Sequence, residues 1–290
     1  AFLFGALLSA HGAGAPEDGR SPWGPTDEIG RLNLMTAESR AAILARVSRS
    51  ALDSGSAAHL ESLRAAPESA GELIYRGTVA PLRAPAEAPL FSYERRVAKT
   101  AHGFAAAHIT QNRDGNVIIT EQARFTPDYA LQRFDAVNSQ LALSGTVELS
   151  NGGRHLEYRL IDNGKPSSAS EDVDAPVVSG PSLHGFIKQH WDALANGETL
   201  AVRMIVLAKK TTYGFDIRRA EHVKGRTSFS ITPSSLFVRL AVAPLRVTFD
   251  SALKTVLRYE GRVPPMHEAE GRLEPLDARV DYTMNVAAYR

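Results

Sequence analysis

Residues 141–161 read Leu141-Ala142-Leu143-Ser144-Gly145-Thr146-Val147-Glu148-Leu149-Ser150-Asn151-Gly152-Gly153-Arg154-His155-Leu156-Glu157-Tyr158-Arg159-Leu160-Ile161. Two apolar runs of strand length, residues 141–149 and 155–161, lie on either side of an Asn-Gly-Gly turn. Asn and Gly tolerate a positive φ, so this pair between apolar runs is a strong signal for a β-hairpin. The segment therefore predicts two antiparallel strands joined by a tight turn.

The same pattern continues on both sides of this hairpin. Residues 112–116, Asn-Arg-Asp-Gly-Asn, form a second predicted turn. Strands separated by turns rather than by regular helices favour an antiparallel sheet. A sheet of about twelve strands does not stay flat, so we predict a mainly β (α+β) fold with a large curved sheet, a barrel or half-barrel like LolA and the lipocalins. The other runs of strand length are residues 73–75, 90–97, 104–110, 117–125, 199–207, 213–218, 227–231, 245–249, 255–260 and 279–287.

A helix interrupts the predicted strands. Residues 182–196 carry apolar side chains at helical spacing and are followed by Gly197, a residue type that commonly ends helices. This stripe predicts one amphipathic helix packed on the sheet. A short apolar helix is compatible with residues 234–241. The stripe consists of Leu183, Phe186, Ile187, Trp191 and Leu194.

The N-terminal part differs in composition from the rest. Residues 1–10 are an apolar run, and Ala13-Gly14-Ala15 has the small-x-small form that signal peptidase cleaves. We interpret residues 1–15 as a signal-peptide remnant, 16–71 as an appendage and linker with a helix near 37–49, and 72–290 as the antiparallel β domain. The expected location is the periplasm or another exported compartment of a bacterial cell envelope.

Two parts of the sequence resemble known families. Residues 21–47 begin Ser-Pro-Trp-Gly-Pro-Thr-Asp-Glu-Ile-Gly-Arg-Leu-Asn-Leu and resemble the N-terminal segment of the metal-dependent cyclases, relatives of kynurenine formamidase. The His-x-Gly-Thr-His-x-Asp-x-x-x-His metal motif of that family does not follow. Residues 72–290 resemble an uncharacterised family of exported proteobacterial β-rich proteins, in segments such as Leu73-Ile74-Tyr75-Arg76-Gly77-Thr78-Val79. The first resemblance would imply metal-dependent hydrolysis, and the second implies no known activity.

Charge and residue content narrow the classes of function. The 33 basic and 32 acidic residues nearly cancel, which argues against nucleic acid as a partner. The sequence has no cysteine, so disulfides, thiolate nucleophiles and thiolate metal sites are excluded. Among the nine histidines, no pair has the i, i+2 or i, i+4 spacing that places two imidazoles on one ion. We therefore predict neither a metal site nor a cofactor.

Ser182 and His184 are the candidate catalytic residues. The segment Gly180-Pro181-Ser182-Leu183-His184-Gly185 lies between an apolar run and the predicted helix, which is the context of a nucleophile elbow. His184 stands where that motif has its second glycine, and a bulky side chain crowds the sharp turn. The other interpretation, which we favour, is that Ser182 or Ser179 caps the helix through its hydroxyl.

The pattern as a whole predicts a binding protein more readily than an enzyme. The hypothesis is an exported, non-catalytic protein that holds a hydrophobic small molecule or lipid in its curved sheet, without a membrane-spanning segment. The alternative is a hydrolase, either cyclase-like or dependent on Ser182, and the sequence leaves the oligomeric state open. The candidate ligand-binding residues are Phe186, Trp191, Met204, Tyr213 and Phe215.

Overall fold

The computed structural model describes residues 71–84 and 88–285. The predicted signal-peptide remnant and the helix near 37–49 lie outside these residues. In chain order the elements are β1 (Glu72–Pro81), β2 (Phe91–Thr100), β3 (Gly103–Gln111), β4 (Val117–Phe125), β5 (Leu131–Asn138), β6 (Leu143–Ser150), β7 (His155–Asp162), β8 (Lys165–Asp172), β9 (Val177–Val178), α1 (Gly180–Gln189), α2 (Trp191–Ala195), β10 (Leu200–Val206), β11 (Thr211–Val223), β12 (Arg226–Pro233), α3 (Leu236–Ala241), β13 (Leu245–Asp250), β14 (Val256–Ala269) and β15 (Arg272–Met284).

The fifteen strands of the described residues belong to one sheet, in which strands consecutive along the chain are neighbours in space except β8 and β9. β1 pairs with β2 on one side and with β15 on the other, so β8 and β9 lie at the two ends. The pairing is antiparallel except between β9 and β10. The ends approach each other, since Thr211 Oγ1 on β11 donates to Glu171 Oε2 on β8 at 3.1 Å. This architecture confirms the predicted large curved antiparallel sheet.

The two turns read from the sequence are present. Asn112 Oδ1 accepts hydrogen bonds from the backbone N–H groups of Asp114 at 3.1 Å and Asn116 at 2.9 Å. In the turn between β6 and β7, Asn151 and Gly152 have φ of 51° and 68°, the conformation for which these residue types are suited. The turn sets Ser150 opposite His155, which confirms the predicted hairpin.

The amphipathic stripe is buried as predicted, but the helix is broken. Leu183 and Ile187 on α1 and Trp191 and Leu194 on α2 all belong to one core cluster with the strands β10 to β13. At His190, between the two helices, φ is −96° and ψ is 21°. The backbone leaves the helical region at this residue, and the His190 ring is hydrogen-bonded to the Phe186 carbonyl at 3.0 Å.

Two strands went unrecognised in the sequence, and the short third helix agrees with expectation. β8 carries no apolar alternation, because it lies at the end of the sheet and is exposed along most of its length. β5 is buried along most of its length, but Arg133 and Asp135 stand among its apolar residues, and no strand was predicted there. α3 lies within the segment for which a short apolar helix was expected.

Candidate functional site

A cavity of about 80 Å³ lies between α1 and the sheet. Helix α1 packs over β3 and β4, and the wall on the opposite side comes from β1 and from β13 to β15. The apolar side chains of the wall include Val79, Leu183, Met204, Leu245, Val263 and Val280. Its polar and aromatic side chains include Tyr93, His108, Glu121, His184, Tyr259, Arg262 and Tyr282.

His108 is held by two residues of β2. Arg95 Nη1 donates to His108 Nε2 at 2.7 Å and to the Pro181 carbonyl on α1 at 2.5 Å. Because a guanidinium can only donate, Nε2 is the acceptor and the ring proton lies on Nδ1, which is hydrogen-bonded to the Tyr93 hydroxyl. Tyr93 therefore accepts from His108 and keeps its own O–H for a group in the cavity.

His184 is the second histidine of this cavity. Its Nδ1 is hydrogen-bonded to the Tyr75 hydroxyl at 2.9 Å. Burial, and to a smaller extent the charge of Arg95, lowers the pKa of His184 to about 3. The same two causes lower the pKa of His108 well below its usual range. Both imidazoles are therefore neutral at physiological pH.

Tyr282 is the centre of an aromatic group. Its ring centroid lies 4.7 Å from that of Tyr75, 6.2 Å from Tyr93 and 5.7 Å from His184. Gly77 on β1 stands opposite Tyr282 in the register, and a Cβ there would come within 3.1 Å of the Tyr282 ring. Because Gly77 has no side chain, the Tyr282 ring can pack closely against the sheet at this position.

Glu121 supplies the carboxylate of the cavity wall. It stands opposite His108 in the register of β3 and β4, and only 2% of the residue is exposed. A Cβ at Gly180, the first residue of α1, would lie 3.2 Å from Glu121 Oε2. The close approach brings a carboxylate to the N-terminus of a helix, where negative charge is favourable.

The two candidate catalytic residues are hydrogen-bonded to separate partners. Ser182 is buried, its Oγ accepts from the backbone N–H of Ser179 at 2.7 Å, and it can donate to the Ser179 carbonyl at 3.2 Å. Ser179 is the N-cap residue of α1 and Ser182 is the third residue of the helix, so the pair forms a capping box. His184 instead turns to Tyr75.

We expect Ser182→Ala to lower the free energy of unfolding by about 0.5–2 kcal/mol, because the buried Ser179 N–H loses its acceptor. Glycine should not restore stability, since water does not reach this buried position. Urea unfolding of both variants measures the effect. Ser235→Ala is a suitable control, because Ser235 at the N-terminus of α3 makes no side-chain cap hydrogen bond. Covalent labelling of Ser182 by a fluorophosphonate would contradict the capping role.

The five candidate ligand-binding residues lie close to the cavity, but only Met204 forms part of its wall. Phe186, Trp191 and Phe215 are buried in the core cluster, and Tyr213 packs against it. Sequence reasoning missed most of the cavity wall. The residues overlooked include Tyr93, His108, Glu121, Tyr259 and Tyr282.

Among residues 71–84 and 88–285, no group of three or more His, Asp or Glu side chains is arranged to hold a metal ion. The helices of the described chain also include none with the length and hydropathy needed to cross a bilayer.

Comparison with known proteins identifies neither a family nor an activity. No family model matches this sequence, and no curated protein matches it. Among solved structures, the chain is similar to a β-barrel-like protein of Domain of Unknown Function DUF1849 from Brucella abortus, with a TM-score of 0.42 and 10% sequence identity over 73% of this chain and 94% of that one. The cyclase resemblance of residues 21–47 gains no support.

Proposed function

We propose that this protein is a non-catalytic binding protein of the bacterial cell envelope that holds a hydrophobic or lipid-like ligand by its polar end. The supporting observation is the composition of the cavity wall, in which a few polar groups stand among apolar side chains. Binding sites for small molecules are typically apolar clefts with a few placed polar groups that fix orientation. The envelope location rests on the apolar run of residues 1–10 and on Ala13-Gly14-Ala15.

The size of the cavity limits the size of the group that it can bind. A volume of about 80 Å³ accommodates a group of a few heavy atoms, and a longer chain would need to extend beyond it. We therefore assign the cavity to the polar end of the ligand. Tyr93 has a hydroxyl hydrogen to donate there, and the Glu121 carboxylate supplies an acceptor.

Binding is favoured over hydrolysis by the hydrogen bonds of the two candidate catalytic residues. A nucleophilic serine needs its hydroxyl within reach of a general base. The hydroxyl of Ser182 is engaged by the backbone of Ser179, and Nδ1 of His184 is engaged by Tyr75. The arrangement stabilises a helix start and leaves the cavity to a bound molecule.

Filling the cavity should remove the ligand. Val280→Phe adds a ring at a cavity-wall position that is 3% exposed, and Val223→Phe makes the same change at a position that is 53% exposed. We expect an organic extract of natively purified wild-type protein to contain an amphipathic molecule, retained in Val223→Phe and lost in Val280→Phe. Mass spectrometry of the three extracts measures this, with thermal melts to show that each variant is folded.

Two outcomes would count against the proposal. One is an equal amount of the same molecule from wild type and from a folded Val280→Phe variant, since the ligand would then lie elsewhere. The other is turnover of an ester or amide substrate that Ser182→Ala abolishes, which would favour the hydrolase instead.

A further inference from the structure

The polar part of the cavity is an aromatic cage with a carboxylate. The rings of Tyr93, Tyr282 and His184 form steep angles with one another, 63° between the first two and 83° between the last two. Tyr282 therefore meets the other two rings edge-to-face rather than stacked on them. Tyr259 and Glu121 complete this part of the wall.

Aromatic faces attract cations through the ring quadrupole, and organic ammonium groups are bound in this way. The rings of the cage are neutral: burial raises the pKa of Tyr93 and Tyr282 well above the usual range and lowers that of His184 to about 3. They therefore add no formal charge at neutral pH, positive or negative. The charged groups in the wall are the Glu121 carboxylate and the Arg262 guanidinium, which pairs with Asp277 at 2.7 Å.

Two guanidinium groups stand near the cage, and their partners bear on which sign of charge the cavity meets. Arg262 belongs to the cavity wall, and its Nε donates to Asp277 Oδ1 at 2.7 Å. Arg95 does not form part of the wall, and its Nη1 donates to His108 Nε2 and to the Pro181 carbonyl. Because both guanidinium groups are engaged in this way, a cation in the cage still meets a carboxylate in the wall.

We infer that the cage of Tyr93, Tyr259, Tyr282 and His184, with Glu121, binds an organic ammonium group. This inference rests on the proposed function and specifies the polar end of its ligand. Such a group could belong to a lipid headgroup or to a free small amine. Both share the same chemistry, a cation with an apolar surface.

Three small molecules of nearly the same shape and different charge test the inference. Choline carries a trimethylammonium group, 3,3-dimethylbutan-1-ol is its uncharged carbon counterpart, and 3,3-dimethylbutanoate is the anionic one. We expect the wild-type protein to bind choline at least about tenfold more tightly than either of the others. Isothermal titration calorimetry with full-length protein measures the three affinities. A fourth titration with dihexanoylphosphatidylcholine distinguishes the sources, since tighter binding than choline would indicate a lipid headgroup and weaker binding a free amine.

Variants of the cage test whether it is the source of the preference for choline. Glu121→Gln keeps the shape of the side chain and should remove the preference for choline, whereas Glu157→Gln on the exposed side of β7 should retain it. If Glu121→Gln does not fold, a second pair gives the answer: Tyr282→Phe keeps the ring and should retain choline binding, and Tyr282→Leu should weaken it about tenfold.

The inference and the proposed function can fail separately. Equal affinity for choline and the alcohol, tighter binding of the anion, or a preference that survives Glu121→Gln would overturn the ammonium site. If the alcohol still binds and Val280→Phe abolishes its binding, the proposed function stands and only the ammonium site is wrong. If none of the compounds binds and the wild-type extract is empty, both are wrong.

Discussion

Replacement of Trp191 by alanine is expected to lower the free energy of unfolding by about 3–5 kcal/mol, the range for deleting a large buried aromatic side chain. Trp191 is 6% exposed and meets Phe229 and Phe249 edge-to-face, with ring centroids 5.2 and 5.7 Å apart. It is also the first residue of α2, so its side chain fixes the second half of the broken helix to the sheet. Urea unfolding followed by circular dichroism measures the loss.

Two further variants serve as a comparison and a control for Trp191→Ala. Trp191→Phe keeps an aromatic ring in contact with the strands and should be clearly less destabilising than alanine. Gln189→Ala changes an exposed residue at the end of α1 and should stay within about 0.5 kcal/mol of wild type. A loss below about 1 kcal/mol for Trp191→Ala would show that the helix pair contributes little to the core, and the cavity would then lack a firm wall.

The fold class followed from local signals that do not depend on distant parts of the chain. The Asn-Gly turn after β6 and the Asp-Gly turn after β3 determine hairpins by backbone conformation alone. Once most neighbours along the chain are hairpins, a meandering antiparallel sheet is the simplest arrangement. The pairing of β1 with β15 has no local signal, because it joins the two ends of the described chain.

β8 and the helix break at His190 could not be recognised from the periodicity of apolar residues. β8 is exposed on both faces, so burial imposes no alternation on its sequence Lys-Pro-Ser-Ser-Ala-Ser-Glu-Asp. The break of the helix at His190 was equally invisible, since Trp191 and Leu194 preserve the apolar spacing across it. At the break the His190 ring is hydrogen-bonded to the Phe186 carbonyl, a contact that the apolar spacing does not indicate.

The candidate site was harder to predict than the fold, because it depends on register. Arg95, His108 and Glu121 stand side by side on β2, β3 and β4, yet they come from three separate stretches of the sequence in which other polar residues occur as well. A two-residue turn at positions 101 and 102 pairs residue 95 with residue 108. The pairing of Arg95 with His108 could therefore have been predicted by counting residues outward from this turn. The position of Tyr282 on β15 could not be predicted in this way, because it depends on the pairing of β1 with β15.

The buried histidines predict a marked loss of stability in mild acid. An unfolded histidine binds its proton with a pKa of about 6.5, whereas His184 in the folded protein has a pKa of about 3. Between these values the unfolded state binds more protons, so stability falls as the pH falls through this window. From pH 7 to pH 5 this linkage amounts to about 2 kcal/mol for His184. The pKa of His108 is lowered as well, so its contribution has the same sign and adds to this loss.

Urea unfolding at pH 7 and pH 5 tests this linkage, because the quantity of interest is the difference between the two pH values. Glutamine at position 184 can still bond to Tyr75 but does not titrate, so His184→Gln should reduce the difference by about 2 kcal/mol. The double variant with His108→Gln should nearly abolish it. Leu194→Ala is the matched control, since it loses core packing while keeping both histidines and should show the wild-type difference. An unchanged pH difference in the double variant would mean that both imidazoles accept protons in the folded protein, and the cage would then carry positive charge in mild acid and repel the ammonium group proposed for it.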